Sequence, residues 1–197
     1  MNKLKQLLCD YNITIFLITS FFIMFILSSF TNEVFLFFGT TSIDYLKKQY
    51  YRWLTCIFLH ASIGHVIFNS IGLIAISSLI KFYLTNWKLL IIFLLGGVGT
   101  EMLLSFVLTS QTANYGGGAS GGIYSLIGAF SILCLHNYKI LNNKYSYLSC
   151  TSLVIYFLFS HVSKNALLTH IFGFAFGSII SLIVLWIDNS RVKIKTC

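Results

Sequence analysis

Ser120, at the end of a glycine-rich loop, is the residue of this chain best placed to act as a nucleophile. The stretch Tyr115-Gly116-Gly117-Gly118-Ala119-Ser120-Gly121-Gly122 runs straight into the apolar segment Ile123 to Gly128. Its letters contain G-x-S-x-G, the nucleophile elbow of soluble hydrolases, where a strained strand-to-helix turn exposes the hydroxyl. That reading needs a strand before the serine and an α/β domain around it. Here a short uncharged loop precedes Ser120 and an apolar helix follows, which puts the hydroxyl at the outer end of a membrane span. A serine becomes a useful nucleophile only when a base takes its proton, and His170 is the candidate. His65 and Asn69, four residues apart, share a helical face. Each offers a side-chain donor for an oxyanion, joined by the backbone N–H of Ser120 at a helix N-terminus. His60, His136 and His161 read instead as hydrogen-bonding partners without a chemical role.

The elements that must position these groups are membrane helices. The chain is 57% hydrophobic and 9% charged with a mean hydropathy of +0.84, a composition that excludes an ordinary soluble fold of this length. Five cysteines, odd in number and never spaced as C-x-x-C, indicate neither a disulfide framework nor a zinc ribbon. The net charge of +8 comes from Lys and Arg lying between hydrophobic runs, so topology explains it and nucleic acid is not an expected partner. Six spans are expected: Ile13 to Phe30, Phe58 to Phe82, Lys88 to Thr109, Ser120 to His136, Tyr147 to Ser160 and Asn165 to Ile187. An interfacial, aromatic-rich connection joins the first two. The domain plan is a short cytoplasmic N-terminus (1–12), a six-helix membrane domain (13–187) and a short basic cytoplasmic tail (188–197). The first hydrophobic run lacks a small-residue cleavage site and reads as a retained span. Lysines and arginines at both ends and in the second and fourth connections favour cytoplasmic termini.

In that orientation the second, fourth and sixth spans all start at the outer face. His65, about 7 residues into its span, and His170, about 5 into its own, then lie roughly 8–10 Å deep at 1.5 Å per residue. The fourth span, about 17 residues and roughly 25 Å long, falls about 5 Å short of a full crossing, so Ser120 starts below the surface as well. Polar groups converging within a bilayer mark a functional site by default. Gly121, Ser125 and Gly128 form one stripe of small residues, and Gly173, Gly177 and Ser181 form another. Such stripes let two backbones approach closely, which brings Ser120 near His170.

Together these residues resemble the rhomboid family of intramembrane serine proteases, and the resemblance covers all six spans. H-x-x-x-x-H-x-x-x-N stands as His60, His65 and Asn69; G-x-S-G as Gly118, Ser120 and Gly121; H-x-x-G-x-x-x-G as His170, Gly173 and Gly177. The resemblance implies an all-α polytopic membrane protein, a six-transmembrane-helix rhomboid-like bundle. Ser120 would be its nucleophile, His170 the base, and His65, Asn69 and the Ser120 N–H the oxyanion hole. Tyr124 matches the aromatic that packs on the catalytic imidazole. The fifth span, with Tyr156, Phe157 and Phe159, looks like the lateral gate, and His161 to Asn165 like the cap over the site. Two positions depart from the family pattern: Tyr51-Arg52 stands where Trp-Arg is usual, and Thr169 where a small residue often precedes the base.

Other intramembrane protease chemistries lack their residues. The carboxylates are Asp10, Glu33, Asp44, Glu101 and Asp188, with no H-E-x-x-H and no pair of intramembrane aspartates. No cofactor or metal is implied. Glu101, inside a span, is a candidate helper or a hydrogen-bonded packing group. The expected activity is a Ser-His dyad endopeptidase of the lipid bilayer, hydrolysing transmembrane protein substrates in or near their helices. A bacterial cell membrane is the expected location, with the site open to the outer face. The alternative is a catalytically inactive rhomboid-like protein that binds transmembrane helices for quality control or trafficking. A transporter is disfavoured, because the polar groups gather toward one face instead of the midplane.

Overall fold

The computed structural model describes residues 9–43, 47–108, 115–136, 151, 153, 156 and 164–188. The described residues form helices α1 (Asn12–Phe30), α2 (Glu33–Phe38), α3 (Arg52–Thr55), α4 (Ile63–Ile80), α5 (Asn86–Val107), α6 (Ser120–His136) and α7 (Lys164–Asp188), with a 3-10 turn at Cys56–Phe58. Helices α1, α4, α5 and α7 are long and apolar enough to cross a membrane, with mean hydropathies between 1.9 and 2.3, and α6 is a shorter apolar helix. The expected fifth span, Tyr147 to Ser160, lies outside the described residues except for Thr151, Leu153 and Tyr156, all three helical.

Each long helix leaves large apolar side chains on the outside, among them Phe16 and Ile23 on α1, Ile71 and Ile74 on α4, Leu95 on α5, and Ile179 and Leu182 on α7. In lipid these residues need no burial, so association of the helices rests on close packing and interhelical hydrogen bonds. The α6–α7 pair shows how. A side chain at Gly173 would collide with the Gly121 carbonyl, one at Gly177 with Ser125, and one at Gly128 with the Phe174 carbonyl. The Ser125 hydroxyl donates to Gly173 O across the pair at 2.9 Å. The core beneath is made by Leu17 and Phe21 of α1, Leu73 and Ile76 of α4, Phe93 of α5, and Ile123 and Leu126 of α6.

Helix ends explain where the expected boundaries moved. The second span was expected from Phe58, but Phe58 and Leu59 belong to the 3-10 turn and its exit, and α4 starts at Ile63. Ser62 is extended and its Oγ accepts the His65 N–H at 3.2 Å, a side-chain N-cap that fixes the start. His65 therefore sits in the first turn of its helix, not about two turns in. Thr85 caps α5 in the same way, accepting from the Lys88 N–H. The Asn86 amide donates to Asn12 Oδ1 at 2.7 Å and to Cys9 O at 3.0 Å, which ties the starts of α1 and α5 together. The starts of α4, α6 and α7 and the end of α5 all line one cavity at the other end of the bundle.

Candidate active site

The glycine loop is held by backbone bonds on both sides. Thr40 and Gly116 exchange N–H to O=C bonds of 2.9 Å each, and the Gly118 N–H donates to Cys56 O at 3.0 Å. Glycine is required at 117, where any Cβ would strike the Cys56 carbonyl, and a Cβ at 118 would stand about 3 Å from the His65 ring. The loop thus lies flat against the 3-10 turn and the start of α4, and it delivers Ser120 as the first residue of α6.

Arg52, buried at 5% exposure, steadies the outer connection. Its guanidinium donates to Gly39 O at 2.9 Å and to Gln49 Oε1 at 2.6 Å, and lies 5.0 Å from the centre of the Tyr115 ring. Trp53 Nε1 donates to Ser105 Oγ at 2.9 Å. Tyr51 is half exposed, with its hydroxyl donating to Phe37 O and its ring centre 5.6 Å from the Arg52 guanidinium.

A cavity of about 880 Å³ opens inside this frame. Ser120, His170, His65 and Asn69 all line it, together with Gly118, Thr169 and Tyr156. The His170 ring stacks on Tyr124, one turn after Ser120, with centres 4.0 Å apart and planes 9° from parallel. That stack fixes the plane of the imidazole, and Gly173, one turn further along α7, allows the backbone of α7 to lie against Gly121. Gly177 repeats the contact a turn deeper, at Ser125. Thr169, which departs from the small residue expected before the base, turns its hydroxyl back to Asn165 O at 2.9 Å and does not part the helices.

Asn69 is 2% exposed. Its Oδ1 accepts from the Tyr156 hydroxyl at 2.9 Å, while its buried Nδ2 has no hydrogen-bond partner among the described residues. An unpaired buried amide N–H is rare and calls for an explanation; here it belongs to a residue that lines the cavity. His60 is fully buried beside His65, their ring centres 4.9 Å apart, and packs on Phe21. Its Nδ1 lies 3.2 Å from Phe58 O. Burial, reinforced by the His65 imidazole, pushes the His60 imidazole down to about 3, so it stays neutral and structural.

The other end of the cavity carries polar groups that motif reading did not single out: Thr41, Ser42 and Ser105, beside Glu101. The Cys56 thiol donates to Trp53 O at 3.6 Å, and burial, reinforced by the Glu101 carboxylate, pushes its pKa well up. Among the described residues, no three His, Cys, Asp or Glu side chains are grouped to hold a metal ion. Of the expected gate and cap, 157–163 lie outside the described residues, while Lys164 and Asn165, expected in the cap loop His161 to Asn165, already form the first turn of α7.

Long apolar helices, with a cavity near one end of the bundle that takes in Ser120, His170, His65 and Asn69, define an integral membrane protein. The family model of the Rhomboid domain matches residues 47–187, most of the chain, and the chain belongs to the rhomboid family. It is 25% identical over 142 residues to YdcA, a rhomboid relative in Bacillus subtilis (strain 168), with 68% of this chain and 67% of that protein covered. It is 28% identical over 144 residues to RHOMBOID-like protein 1 of Arabidopsis thaliana, covering 71% of this chain and 36% of that one. Rhomboid protease GluP of Bacillus subtilis (strain 168) is 31% identical over 124 residues, 62% of this chain and 24% of GluP. The match thus spans about two thirds of YdcA and little more than a third, or less, of the other two.

Proposed function

We propose that this protein is an intramembrane serine endopeptidase that hydrolyses peptide bonds in or near transmembrane segments of membrane-anchored proteins. The observation that carries this reading is the placement of Ser120 and His170 on one cavity, with the imidazole stacked on Tyr124 and the unpaired Asn69 amide lining the same space. Ser120 Oγ attacks the scissile carbonyl as His170 takes its proton. The carbonyl oxygen becomes an oxyanion, met by His65, the Asn69 amide and the Ser120 N–H. His170 then protonates the leaving amine, and water entering the cavity hydrolyses the acyl-enzyme with His170 again as base. Gly118, Gly121, Gly173 and Gly177 support the site by letting loop and helices close on it. A regular helix hides its carbonyls in i→i−4 bonds, so the favoured substrates are segments weakened by small residues.

On this reading the protein sits in a bacterial cell membrane with cytoplasmic termini and the cavity open to the outer face. The basic residues at both ends, and a cavity at the end of the bundle away from the starts of α1 and α5, support this orientation. The test is reconstitution of the full chain in liposomes with a panel of single-span substrates. Cleavage by the wild type, lost in Ser120→Ala and in His170→Ala, is the expected result. Substrate capture without cleavage by a folded wild type would move the protein to the class of inactive rhomboid-like binders.

A further inference from the structure

Tyr156 and Asn69 meet across 87 positions of sequence in a buried hydrogen bond of 2.9 Å. The phenol is 3% exposed, stands about 2.8 Å from where a Cβ on Gly72 would project, and lies 5.7 Å from the Tyr124 ring. Gly72 follows Asn69 by three residues on α4, so the same helix supplies both the amide and the notch that seats the ring. A buried hydroxyl hydrogen must find an acceptor, and Asn69 Oδ1 is the acceptor the phenol reaches. This settles which way the amide faces. With Oδ1 committed to the phenol, Nδ2 is left without a partner among the described residues, on a residue that lines the cavity. In the opposite orientation Nδ2 would be spent on the phenol oxygen, and Oδ1, which carries no proton, could not donate to an oxyanion.

We propose that Tyr156 is a positioning residue that holds the Asn69 carboxamide with its N–H groups turned toward the reacting carbonyl. This rests on the reading of Asn69 as an oxyanion donor. Removing the phenol hydroxyl leaves the amide in place but frees it to turn over, so Tyr156→Phe loses part of what deleting the donor loses. The expected fall in kcat is about tenfold, against about 10²–10³ for removing an oxyanion donor outright. KM stays within about twofold, because the ground-state carbonyl carries little charge.

The experiment measures kcat and KM in liposomes for the wild type, Tyr156→Phe, Asn69→Ala and the double variant, with thermal stability of each as a control for folding. Wild-type cleavage that disappears in Ser120→Ala establishes the underlying reading separately. The proposal expects Tyr156→Phe to lower kcat alone, and to have no further effect once Asn69 is alanine. Unchanged kcat in Tyr156→Phe, a loss confined to KM, or losses that multiply in the double variant would each overturn it. A wild type without activity would remove the donor reading and the proposal with it.

Discussion

Replacing Gly173 by alanine tests whether helix contact at the site sets the reaction geometry. The added Cβ would collide with the Gly121 carbonyl and come within 3.1 Å of Tyr124 Cβ. A backbone oxygen inside a helix cannot swing aside, so α6 and α7 must part by something on the order of an ångström. Overpacking of this kind costs about 1–3 kcal/mol, and weakening the Ser125-to-Gly173 hydrogen bond adds about 1 kcal/mol. The destabilisation is therefore roughly 2–4 kcal/mol. The effect on rate is larger in proportion, because His170 lies one turn from Gly173 and its stack on Tyr124 shifts with the helix. A misplacement of about 1 Å costs roughly 10²-fold in rate. Initial cleavage rates per folded molecule, alongside denaturant titration in detergent, separate the two effects. Gly64→Ala is the control: its Cβ meets only Ser62 Oγ, at 3.9 Å, and stability should not fall. A Gly173→Ala protein with wild-type rate and stability would refute the claim that this contact positions the base.

Three further outcomes follow from the same geometry. Arg52→Met removes the donors to Gly39 O and Gln49 Oε1 and should destabilise the protein by about 2–3 kcal/mol, since bonds from a charged group are worth about 1.5–3 kcal/mol; an unchanged denaturation midpoint would argue against it. Tyr124→Leu removes the buried ring stacked at 4.0 Å on His170 and should destabilise the protein by about 2–4 kcal/mol and lower kcat per folded molecule about tenfold or more; wild-type kcat would show that the stack is incidental. Tags at Met1 and Cys197 should both report from the cytoplasm, and an externally accessible tag at either end would sink the orientation.

The readable parts of this chain were those written locally. The start of α6 at Ser120 was legible because a glycine loop meets an uninterrupted apolar run, and α7 was placed within a residue at each end. The start of α4 was not, because Phe58 and Leu59 extend the apolar run into a 3-10 turn that only the Ser62 cap separates from the helix. At the candidate site, small-residue stripes and the i, i+4 spacing of His65 and Asn69 are local patterns. The Tyr156 bond to Asn69, the burial of Arg52 against Gly39, and the Trp53 bond to Ser105 join distant segments and leave no spacing to read. Tyr156 looked like one gate aromatic among three, and only its hydroxyl's partner distinguishes it.

The central claim, a Ser120 nucleophile activated by His170, is tested most directly by covalent labelling. A serine-directed fluorophosphonate is applied to the purified, folded full chain and the modified peptide is mapped by mass spectrometry. The account predicts one label per chain at Ser120, none in Ser120→Ala, and none in His170→Ala, because the hydroxyl then has no base. A folded, cleaving wild type that takes no label, or a Ser120→Ala protein that still cleaves, would contradict it.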